Sequence, residues 1–444
     1  MSDVVVLLSD EGLGGVVPFG HAIAASGAIP LLITGPVGPE RLDSWRPLYR
    51  EIAVLSDPYD PDRICAQVDT MGCHGRVAGL FSCYDGLVLP AARAAMKLGL
   101  PHPTIAGLER SRNKYATRLA TARRALPTPR FGLIASEDDC AAAAATVGCP
   151  AVIKPLNGMA SHLVHRVDSS DTLRTAYREL RSRVRQNFSG NYSRPLSCGD
   201  SVGSRLVLSP LSTFLLEEFL VGAEYSAEVI VRAGRVECVA LFHKFIVDPD
   251  GFRECGFTTP ISDCRPDRSE ALWDHIKACL GVLEVDNAAA HVEIMDTAAG
   301  PYLVEVNAGR AGGQILVRAV RAFTGIDLIT EILTLQCNWP RPPRLTPTLT
   351  GRVTTLTVFP PTSGVLQRLD GLDKAAMLPG VVEIVPFCHP GDVLDVRDKE
   401  FFAVNLLVAG VELEDLIPLY NQACRLVRFD IVPLAAKPHS GAFQ

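Results

Sequence analysis

The stretch HVEIMDTAAGPYLVEVNAGRAGGQ, residues 291–314, decides the fold of this chain. It contains two apolar segments with alternating polar residues, separated by DTAAGP, which has the composition of a hairpin loop. Because side chains alternate faces along a strand, His291 and Glu293 share one face of the first segment. By the same rule, one face of the second segment carries Leu303, Glu305 and Asn307. The sequence therefore predicts two antiparallel strands with glutamates on the same side of the sheet.

Two carboxylates side by side repel each other, and burying them without a cation is costly. Asn307 would add a neutral oxygen to Glu293 and Glu305, and an all-oxygen set suits a hard cation such as Mg²⁺ or Mn²⁺. The alternative is a solvated strand face with exposed acids. The pattern by itself leaves both interpretations open.

Size and composition limit the classes of protein to which the chain can belong. Its 444 residues favour two to four domains, and 48% hydrophobic with 21% charged residues predict full cores rather than disorder. The net charge of -6 without a long basic run argues against nucleic acid or an anionic membrane as the main partner. No apolar segment is long enough to span a bilayer, and MSDVVVLLSDEG predicts a buried first strand instead of a signal peptide.

The thirteen cysteines are scattered, and no Cys-x-x-Cys pair occurs. This pattern is typical neither of a disulfide framework nor of a zinc site. Most of these residues are expected to be small core hydrophobes in the reducing cytoplasm.

The first part of the chain alternates short apolar runs with a helical pattern. Strands are predicted at 4–9, 28–35 and 77–83, and a helix at 20–27. Such alternation predicts a parallel sheet flanked by helices, an α/β arrangement. The glycines after the first strand do not match the dinucleotide fingerprint, because its last glycine is replaced by Val17, and no P-loop motif occurs in the chain.

The rest of the chain predicts two further domains. Helices are predicted at 111–126 and 138–148, strands at 150–155, 214–221 and 224–247, and a polar mobile loop at 187–205. PRPPRLTP at 340–347 is typical of a linker, and the strands and one helix beyond it predict an α+β unit. The predicted domains are 1–108, 109–338 and 339–444.

Two segments in the middle domain carry residues that could bind an anion or need a buried partner. Lys154 ends an apolar strand, so it is either a snorkelling edge residue or a buried cation with an anionic partner. The small-residue loop NGMASH follows at 157–162, and its backbone N–H groups could approach a phosphate, although such turns are common. Four acids stand between apolar flanks in LLEEFLVGAEYSAE: Glu217, Glu218, Glu224 and Glu228.

The order of these features resembles the ATP-grasp superfamily. Lys114, on a predicted helix, is followed by Lys154 and its small-residue loop. Next come Glu-Glu-Phe-Leu with Gly-x-Glu, and then an acid on one predicted strand. Glu-x-Asn on the next strand, followed by arginine and Gly-Gly, completes the order. The resemblance covers roughly residues 1–434, with the motifs between 111 and 314. No single motif is decisive, but five in this order are specific. The resemblance implies an N-terminal α/β domain, an ATP-grasp domain with a lid subdomain at about 128–215, and a C-terminal α+β domain.

The resemblance also implies roles for individual residues. The ATP phosphates would contact Lys114 and Lys154, the second also near the adenine pocket. The loop over the phosphates would include Gly158, Ala160 and Ser161. The hinge against the adenine edge would be Glu217, Glu218, Phe219 and Leu220, partly through backbone groups. The ribose hydroxyls would contact Glu224, and Mg²⁺ would be held by Glu293, Glu305 and Asn307. Lys244 would reach the γ-phosphate, or else is a surface lysine.

Within the superfamily the chain is most similar to the L-amino-acid ligases, which join a carboxylate to an amine. FRECGFTTPISD at 252–263 matches their segment before the acceptor site, so Glu254 would meet a substrate amino group. The arginine after Glu-x-Asn stands one position later than usual, at Arg310, because Gly309 is inserted. Arg310 would stabilise charge on the acyl phosphate and the tetrahedral intermediate. The N–H groups around Gly312 and Gly313 would receive the donor carboxylate, and Phe257 replaces a common histidine.

The resemblance therefore implies an ATP-dependent ligase that forms an amide through an acyl phosphate and releases ADP and phosphate. Its expected partners are small-molecule carboxylate and amine substrates, most simply amino acids joined to a dipeptide in natural-product biosynthesis. It leaves a homodimer open. Two alternatives remain: a carboxylase that activates bicarbonate, although no biotin-carrier segment occurs, and a non-catalytic nucleotide-binding regulator.

Overall fold

The computed structural model describes residues 2–10, 15–71, 75–158, 161, 163–186, 192, 194–199, 205–247, 254–261, 266–396 and 402–433. The chain divides into two compact units. The first consists of Met1–Met159, Val164–His243 and Ile261–Thr348, and the second of Ala160–Leu163, Lys244–Pro260 and Leu349–Gln444. The division into three domains at 108 and 338 stays a prediction.

The first unit begins with a parallel sheet of order β3-β2-β1-β4. Its elements are β1 (Asp3–Ser9), α1 (Val16–Ala25), β2 (Ile29–Thr34), α2 (Pro39–Trp45), β3 (Glu51–Val54), α3 (Pro61–Met71), β4 (Arg76–Phe81) and α4 (Asp85–Lys97). The apolar run at 4–8 is fully buried, as expected for a parallel strand covered on both faces. The predicted strands and the parallel sheet are confirmed, while the first helix begins earlier than predicted, at Val16.

The helix predicted at 111–126 is confirmed as α6 (Lys114–Arg123), but residues 111 and 112 belong to a separate helix before it, α5 (Ile105–Arg112). Asn113 between them is extended, and its Oδ1 accepts hydrogen bonds from the backbone N–H groups of Tyr115 at 3.1 Å and Ala116 at 3.4 Å. Asparagine favours this N-cap position because its short side chain replaces the missing helical acceptor. The break places Lys114 in the first turn of α6.

An antiparallel sheet of order β5-β10-β6-β7 follows. The elements here are β5 (Phe131–Ile134), α7 (Asp139–Val147), β6 (Ala151–Pro155), β7 (His165–Val167), α8 (Ser170–Gln186), β8 (Leu196–Gly199), β9 (Arg205–Leu208) and β10 (Phe214–Glu218). Strands β8 and β9 form a separate hairpin. Much of the predicted loop at 187–205 lies outside the described residues, and its described part includes β8.

The last sheet of the first unit has the order β15-β14-β11-β12. The elements along this part of the chain are β11 (Gly222–Arg232), β12 (Arg235–Val247), β13 (Glu254–Thr259, in the second unit), α9 (Pro266–Leu283), β14 (Ala288–Thr297), β15 (Gly300–Ala308), α10 (Gln314–Thr324) and α11 (Leu328–Cys337). Ala233 and Gly234, with φ of 50° and 73°, make the tight turn between β11 and β12. The predicted antiparallel strands on either side of DTAAGP are confirmed.

The second unit contains two antiparallel sheets, of order β13-β16-β20-β18 and β19-β17-β21. Its further elements are β16 (Val353–Val358), β17 (Gly364–Asp370), α12 (Leu372–Ala376), β18 (Val381–Pro386), β19 (Val393–Leu394), β20 (Val404–Ala409), α13 (Leu413–Leu426) and β21 (Arg428–Val432). The mixed fold class, with a parallel sheet at the N-terminus and antiparallel sheets elsewhere, is thereby confirmed.

Among the residues that the structure describes, no helix combines the length and apolarity needed to cross a bilayer. The described cysteines are all free thiols, most of them buried or partly buried.

Candidate functional site

The strands β14 and β15 bring two glutamates face to face. Glu293 stands opposite Glu305, and His291 opposite Asn307. The register then shifts, so that Ile294 pairs with Leu303.

This shift is a β-bulge that leaves Val304 as the extra residue of β15. The prediction that Leu303 shares a face with Glu305 is therefore wrong. Leu303 is 1% exposed and lies in the hydrophobic core with Val306. The bulge lets Leu303 join the core while Glu305 keeps its place opposite Glu293.

Each member of the acid pair, Glu293 and Glu305, has a cationic neighbour. The Nζ of Lys114 lies 2.9 Å from Oε1 of Glu305, and Nε2 of His291 lies 3.6 Å from Oε1 of Glu293. The amide of Asn307 satisfies its neighbours when its nitrogen donates to Glu305 Oε1 at 2.9 Å and its oxygen accepts from Arg310 Nη2 at 3.3 Å. The register places the two carboxylates opposite each other, with Asn307 two residues beyond Glu305, and oxygen ligands of this kind suit a hard divalent cation.

A second buried acid, Glu228 on β11, ties the adjacent loop to the sheet. It is 1% exposed, its Oε1 lies 2.7 Å from Nδ1 of His291, and it accepts from the backbone N–H of Gly312 at 3.1 Å. Burial alone would lower the pKa of His291, but Glu228 outweighs it and raises the pKa to about 9. The N–H of Gly312, predicted to receive a donor carboxylate, already donates to Glu228.

Only glycine fits at Gly312, because a Cβ there would lie 2.4 Å from Glu228 Oε1. Gly313, the other predicted substrate residue, is the N-cap of α10, and a Cβ there would meet nothing within 4 Å.

Arg310 reaches the acid pair in spite of the inserted glycine. Gly309 has φ of 91°, and a Cβ on it would lie 2.3 Å from Cγ1 of Val88. The turn brings Nε of Arg310 to 2.6 Å from Oδ1 of Asp85. Burial would lower the pKa of Arg310, but the Asp85 carboxylate outweighs burial and raises it. Asp85 begins α4 and has no predicted role.

A cluster of buried cations lies on the neighbouring elements of the first unit. We call Lys114, Arg118, Lys154 and Glu217, the acid that Arg118 and Lys154 share, the cation cluster. Nζ of Lys154 lies 2.8 Å from Oε2 of Glu217, and Nε of Arg118 lies 2.9 Å from Oε1. The contact follows from register, because Lys154 pairs with Leu215 and is therefore a diagonal neighbour of Glu217 on the same face.

The pKa values in the cation cluster show which charge is in excess. Burial would raise the pKa of Glu217, but Arg118 and Lys154 outweigh burial and hold it at about 2. The pKa of Lys154 lies below its usual range, because burial and the repulsion of Arg118 and Lys114 outweigh the attraction of Glu217. The buried cations therefore exceed the acid that they share, and an anionic ligand would relieve that excess.

A pocket lies beside Asp85, Glu305 and Asn307. Nζ of Lys114 donates to the carbonyl oxygen of Gly158 at 2.8 Å, at the start of the predicted phosphate loop. Ser161 has a left-handed backbone with φ of 50°, and Ala160 lies outside the described residues. The pocket is lined by Asp85, Val88, Leu89, Leu108, Ser111, Arg112, Asn157, Gly158, Glu305, Val306, Asn307 and Ala308.

The predicted adenine hinge follows β10. The backbone N–H of Glu218 donates to the carbonyl of Arg130 at 2.9 Å, and that of Phe219 to the carbonyl of Pro150 at 3.2 Å. The side chain of Glu218 is partly exposed and pairs with Arg130. Leu220 and Glu224, the predicted ribose ligand, are partly buried. The side chain of Glu217 is held inside the cation cluster by Arg118 and Lys154.

In the second unit, Lys244 on β12 pairs with Glu254 on β13. The Lys244 side chain is fully buried, and its ammonium lies 5.8 Å from the centre of the Phe257 ring. The interpretation of Lys244 as a surface lysine is therefore wrong. A buried ammonium needs a counter-charge, and Glu254 supplies one.

Sequence reasoning missed Arg118, Asp85 and the role of Glu228. One signal for Arg118 was available, since it lies one helical turn after Lys114 on the same face of α6. Asp85 carried no local signal.

Comparison with known proteins gives two family matches. Residues 147–318 match the ATP-grasp domain, and residues 356–432 match the L-amino acid ligase C-terminal domain 2. Among relatives, an uncharacterized protein of Sinorhizobium fredii is 26% identical over 78% of this chain and 66% of its own length. Human carnosine synthase 1 is 24% identical over 59% of this chain and 31% of its own length. The chain thus spans less than two thirds of either relative.

The same fold occurs in a solved structure. The L-amino acid ligase from Bacillus licheniformis superimposes with a TM-score of 0.77 at 18% identity, covering 97% of this chain and 99% of that one. The resemblance to the ATP-grasp superfamily is confirmed, and the groups described in the first unit lie on or beside the matched domain. The chain therefore contains an ATP-grasp domain at 147–318, followed by a segment at 356–432 that matches the L-amino acid ligase C-terminal domain 2.

Proposed function

We propose that the chain is an ATP-dependent carboxylate–amine ligase that joins amino-acid-type substrates through an acyl phosphate. One observation carries the proposal: a cation-rich cluster lies directly beside an acid-rich strand pair, joined by the contact of Lys114 with Glu305. Phosphates would bind at the cations and a divalent cation at the acids, which is the charge distribution of magnesium-bound ATP.

The residues present fit a hard cation. The acid pair stands directly opposite across the strands, an arrangement that is destabilising unless positive charge lies between the carboxylates. Glu293, Glu305 and Asn307 would hold Mg²⁺ or Mn²⁺, which when bound neutralises charge on the transferred phosphate. Asn307 would turn its amide oxygen from Arg310 toward the cation or share it, since a carbonyl oxygen has two lone pairs.

Lys114 and Lys154 would hold the phosphates while a substrate carboxylate oxygen attacks the γ-phosphorus, forming an acyl phosphate as the bond to ADP breaks. An amine nitrogen then attacks the acyl carbon, phosphate leaves, and the amine gives up a proton. Arg310, which now pairs with Asp85, would exchange that partner for the oxyanion of the tetrahedral intermediate. Glu254, already paired with Lys244, would meet the incoming amino group.

The two substrates are proposed by class only. Similar proteins include a carnosine synthase and an L-amino acid ligase, and these names favour an amino-acid carboxylate and an amino-acid amine. A dipeptide product, a role in natural-product biosynthesis and a cytoplasmic location stay predictions, as does a homodimer.

The test is release of ADP and phosphate by the purified full chain with Mg-ATP in pools of amino acids, with mass spectrometry of the products. We expect ADP release that depends on amino acids and a product mass equal to two residues less one water. The control contains bicarbonate alone, and turnover there without amino acids would favour the carboxylase. Tight nucleotide binding without turnover in any pool would count against the ligase and favour the regulator.

A further inference from the structure

Arg118 is the largest charged side chain that the fold buries almost completely, at 1% exposure. Its guanidinium makes three contacts. Nε and Nη2 reach the carboxylate of Glu217 at 2.9 and 3.2 Å, and Nη2 also donates to the carbonyl oxygen of Val304 at 2.8 Å. These partners lie on β10 and β15, which belong to different sheets.

The contact with Val304 falls on the bulge in β15. Val304 is the residue that has no register partner on β14, and a buried carbonyl oxygen needs a hydrogen-bond donor. Arg118 supplies the donor. The next residue along the strand is Glu305, the predicted metal ligand, whose direction depends on how the bulge is held.

Lys114 and Arg118 lie one turn apart on α6 and act on neighbouring residues of β15. Lys114 binds the Glu305 carboxylate, while Arg118 binds the backbone just before it. Through Glu217, Arg118 also fixes the strand that leads into the predicted adenine hinge and the acid that holds Lys154. One guanidinium thus connects the strand of the nucleotide base, a phosphate-binding lysine and the strand of the metal ligands.

We propose that Arg118 is a positioning residue that couples the nucleotide subsite to the metal ligand Glu305 by holding the Val304 bulge; this proposal rests on the proposed function. In this role Arg118 acts through Val304 and Glu217, the groups that its guanidinium contacts. A role limited to balancing the charge of Glu217 would require a cation at this position but no contact with Val304.

The variant that separates these roles is Arg118→Lys. Lysine keeps the charge beside Glu217, but its single ammonium cannot hold a carboxylate by two parallel bonds and a carbonyl at the same time. We expect the Mg²⁺ concentration for half-maximal ADP binding, measured by calorimetry on the full chain, to rise about 10-fold or more, as for the loss of other groups that orient metal ligands. The matched control is Arg130→Lys, at the exposed pair with Glu218 on the same strand, where we expect no change.

A double variant, Arg118→Gln with Glu217→Gln, guards against failure to fold, because it leaves the net charge of the cation cluster unchanged. It also removes the two-bond contact between Arg118 and Glu217 on β10, so the Mg²⁺ requirement should rise here as well. Circular dichroism and thermal melting identify the variants that are folded.

Folded variants with an unchanged Mg²⁺ requirement would overturn the proposal and leave Arg118 a charge-balancing role. A raised requirement in both variants, with Arg130→Lys unaffected, would support it. Because binding of ADP is the readout, the outcome is independent of turnover: a wild-type chain that binds Mg-ADP but forms no amide would defeat the proposed ligase without deciding the role of Arg118.

Discussion

The acid pair and the cation cluster lie a few ångströms apart and consist mainly of oppositely charged side chains. In the acid pair, Glu293 and Glu305 face each other, with Lys114 and His291 only at the flanks. In the cation cluster, Arg118 and Lys154 share the single acid Glu217. Each glutamate of the acid pair therefore lies beside one cation, whereas the cation cluster has more positive than negative charge, and both regions are largely shielded from water.

This difference teaches that the positive charge of the cation cluster is not fully compensated within the cluster itself. A buried charge is costly unless a charge of opposite sign lies beside it. Lys114 makes one such link, to Glu305. The remaining separation of charge suits a ligand that carries both an anion and a cation.

The largest effect is expected from a variant that breaks the acid pair. Glu305→Ala removes the carboxylate that faces Glu293 and binds Lys114, so we expect amide formation to fall by about 10³-fold or more, because preorganised charge at the reacting phosphate is lost. Initial rates of ADP release at saturating Mg-ATP measure the change. Glu137→Ala, at an exposed pair with Arg178, is the control with wild-type turnover. Undiminished turnover of the Glu305 variant would remove this residue from the metal site.

The next largest effect is expected from a variant that breaks the cation cluster. The pKa of Glu217 is about 2 in the folded chain, against about 4.3 for an ordinary glutamate. The folded state therefore holds this proton less tightly than the unfolded chain does. The resulting stabilisation, roughly 3 kcal/mol, is fully present above pH ~4.5 and is lost as the pH falls toward 2.

Glu217→Gln should accordingly lower the free energy of unfolding by about 3 kcal/mol at pH 7, and by less at pH 3. Urea-induced unfolding of the full chain at both pH values measures this. Glu218→Gln is the matched control, because the partly exposed Glu218 pairs with Arg130 at the surface and should cost less than about 1 kcal/mol. Equal losses in both variants would contradict the description of the cluster.

The smallest effect tests how the loop beside the acid pair is held. A Cβ at Gly312 would lie 2.4 Å from Oε1 of Glu228 and 2.9 Å from Nδ1 of His291. Gly312→Ala should therefore disrupt the bond from the Gly312 N–H to Glu228 and cost about 2 kcal/mol of unfolding free energy. At Gly313 the space is open, so Gly313→Ala should cost only a few tenths to about 1 kcal/mol. A Gly312 variant as stable as the Gly313 variant would show that the loop can move without cost.

Local patterns were sufficient for much of the fold. The continuous apolar run of β1 and the alternation in β14 and β15 predicted the parallel sheet and the antiparallel pair correctly. Local patterns failed where a single residue changed the local geometry. Asn113 interrupts a helical pattern by capping α6, and the bulge at Val304 reverses the face of Leu303.

For the candidate site, the sequence indicated the acid pair, Lys114, Lys154 and Arg310, and the structure brings these residues of the first unit together. The partners of these residues could not be predicted. Asp85 pairs with Arg310 across 225 positions of the chain, and Glu217 pairs with Arg118 across 99. No periodicity connects residues so far apart.

The sequence by itself therefore determined many of the strands and which side of the hairpin carries acids, because strand periodicity and hairpin loops depend on neighbouring residues. Only the tertiary structure decided how the charges are shared. It set Glu217 between Arg118 and Lys154, bound Glu228 to Gly312 and His291, and fixed the bulge before Glu305. The physical reason is that the pKa of a buried group depends on every group packed against it, and packing is a property of the folded chain as a whole.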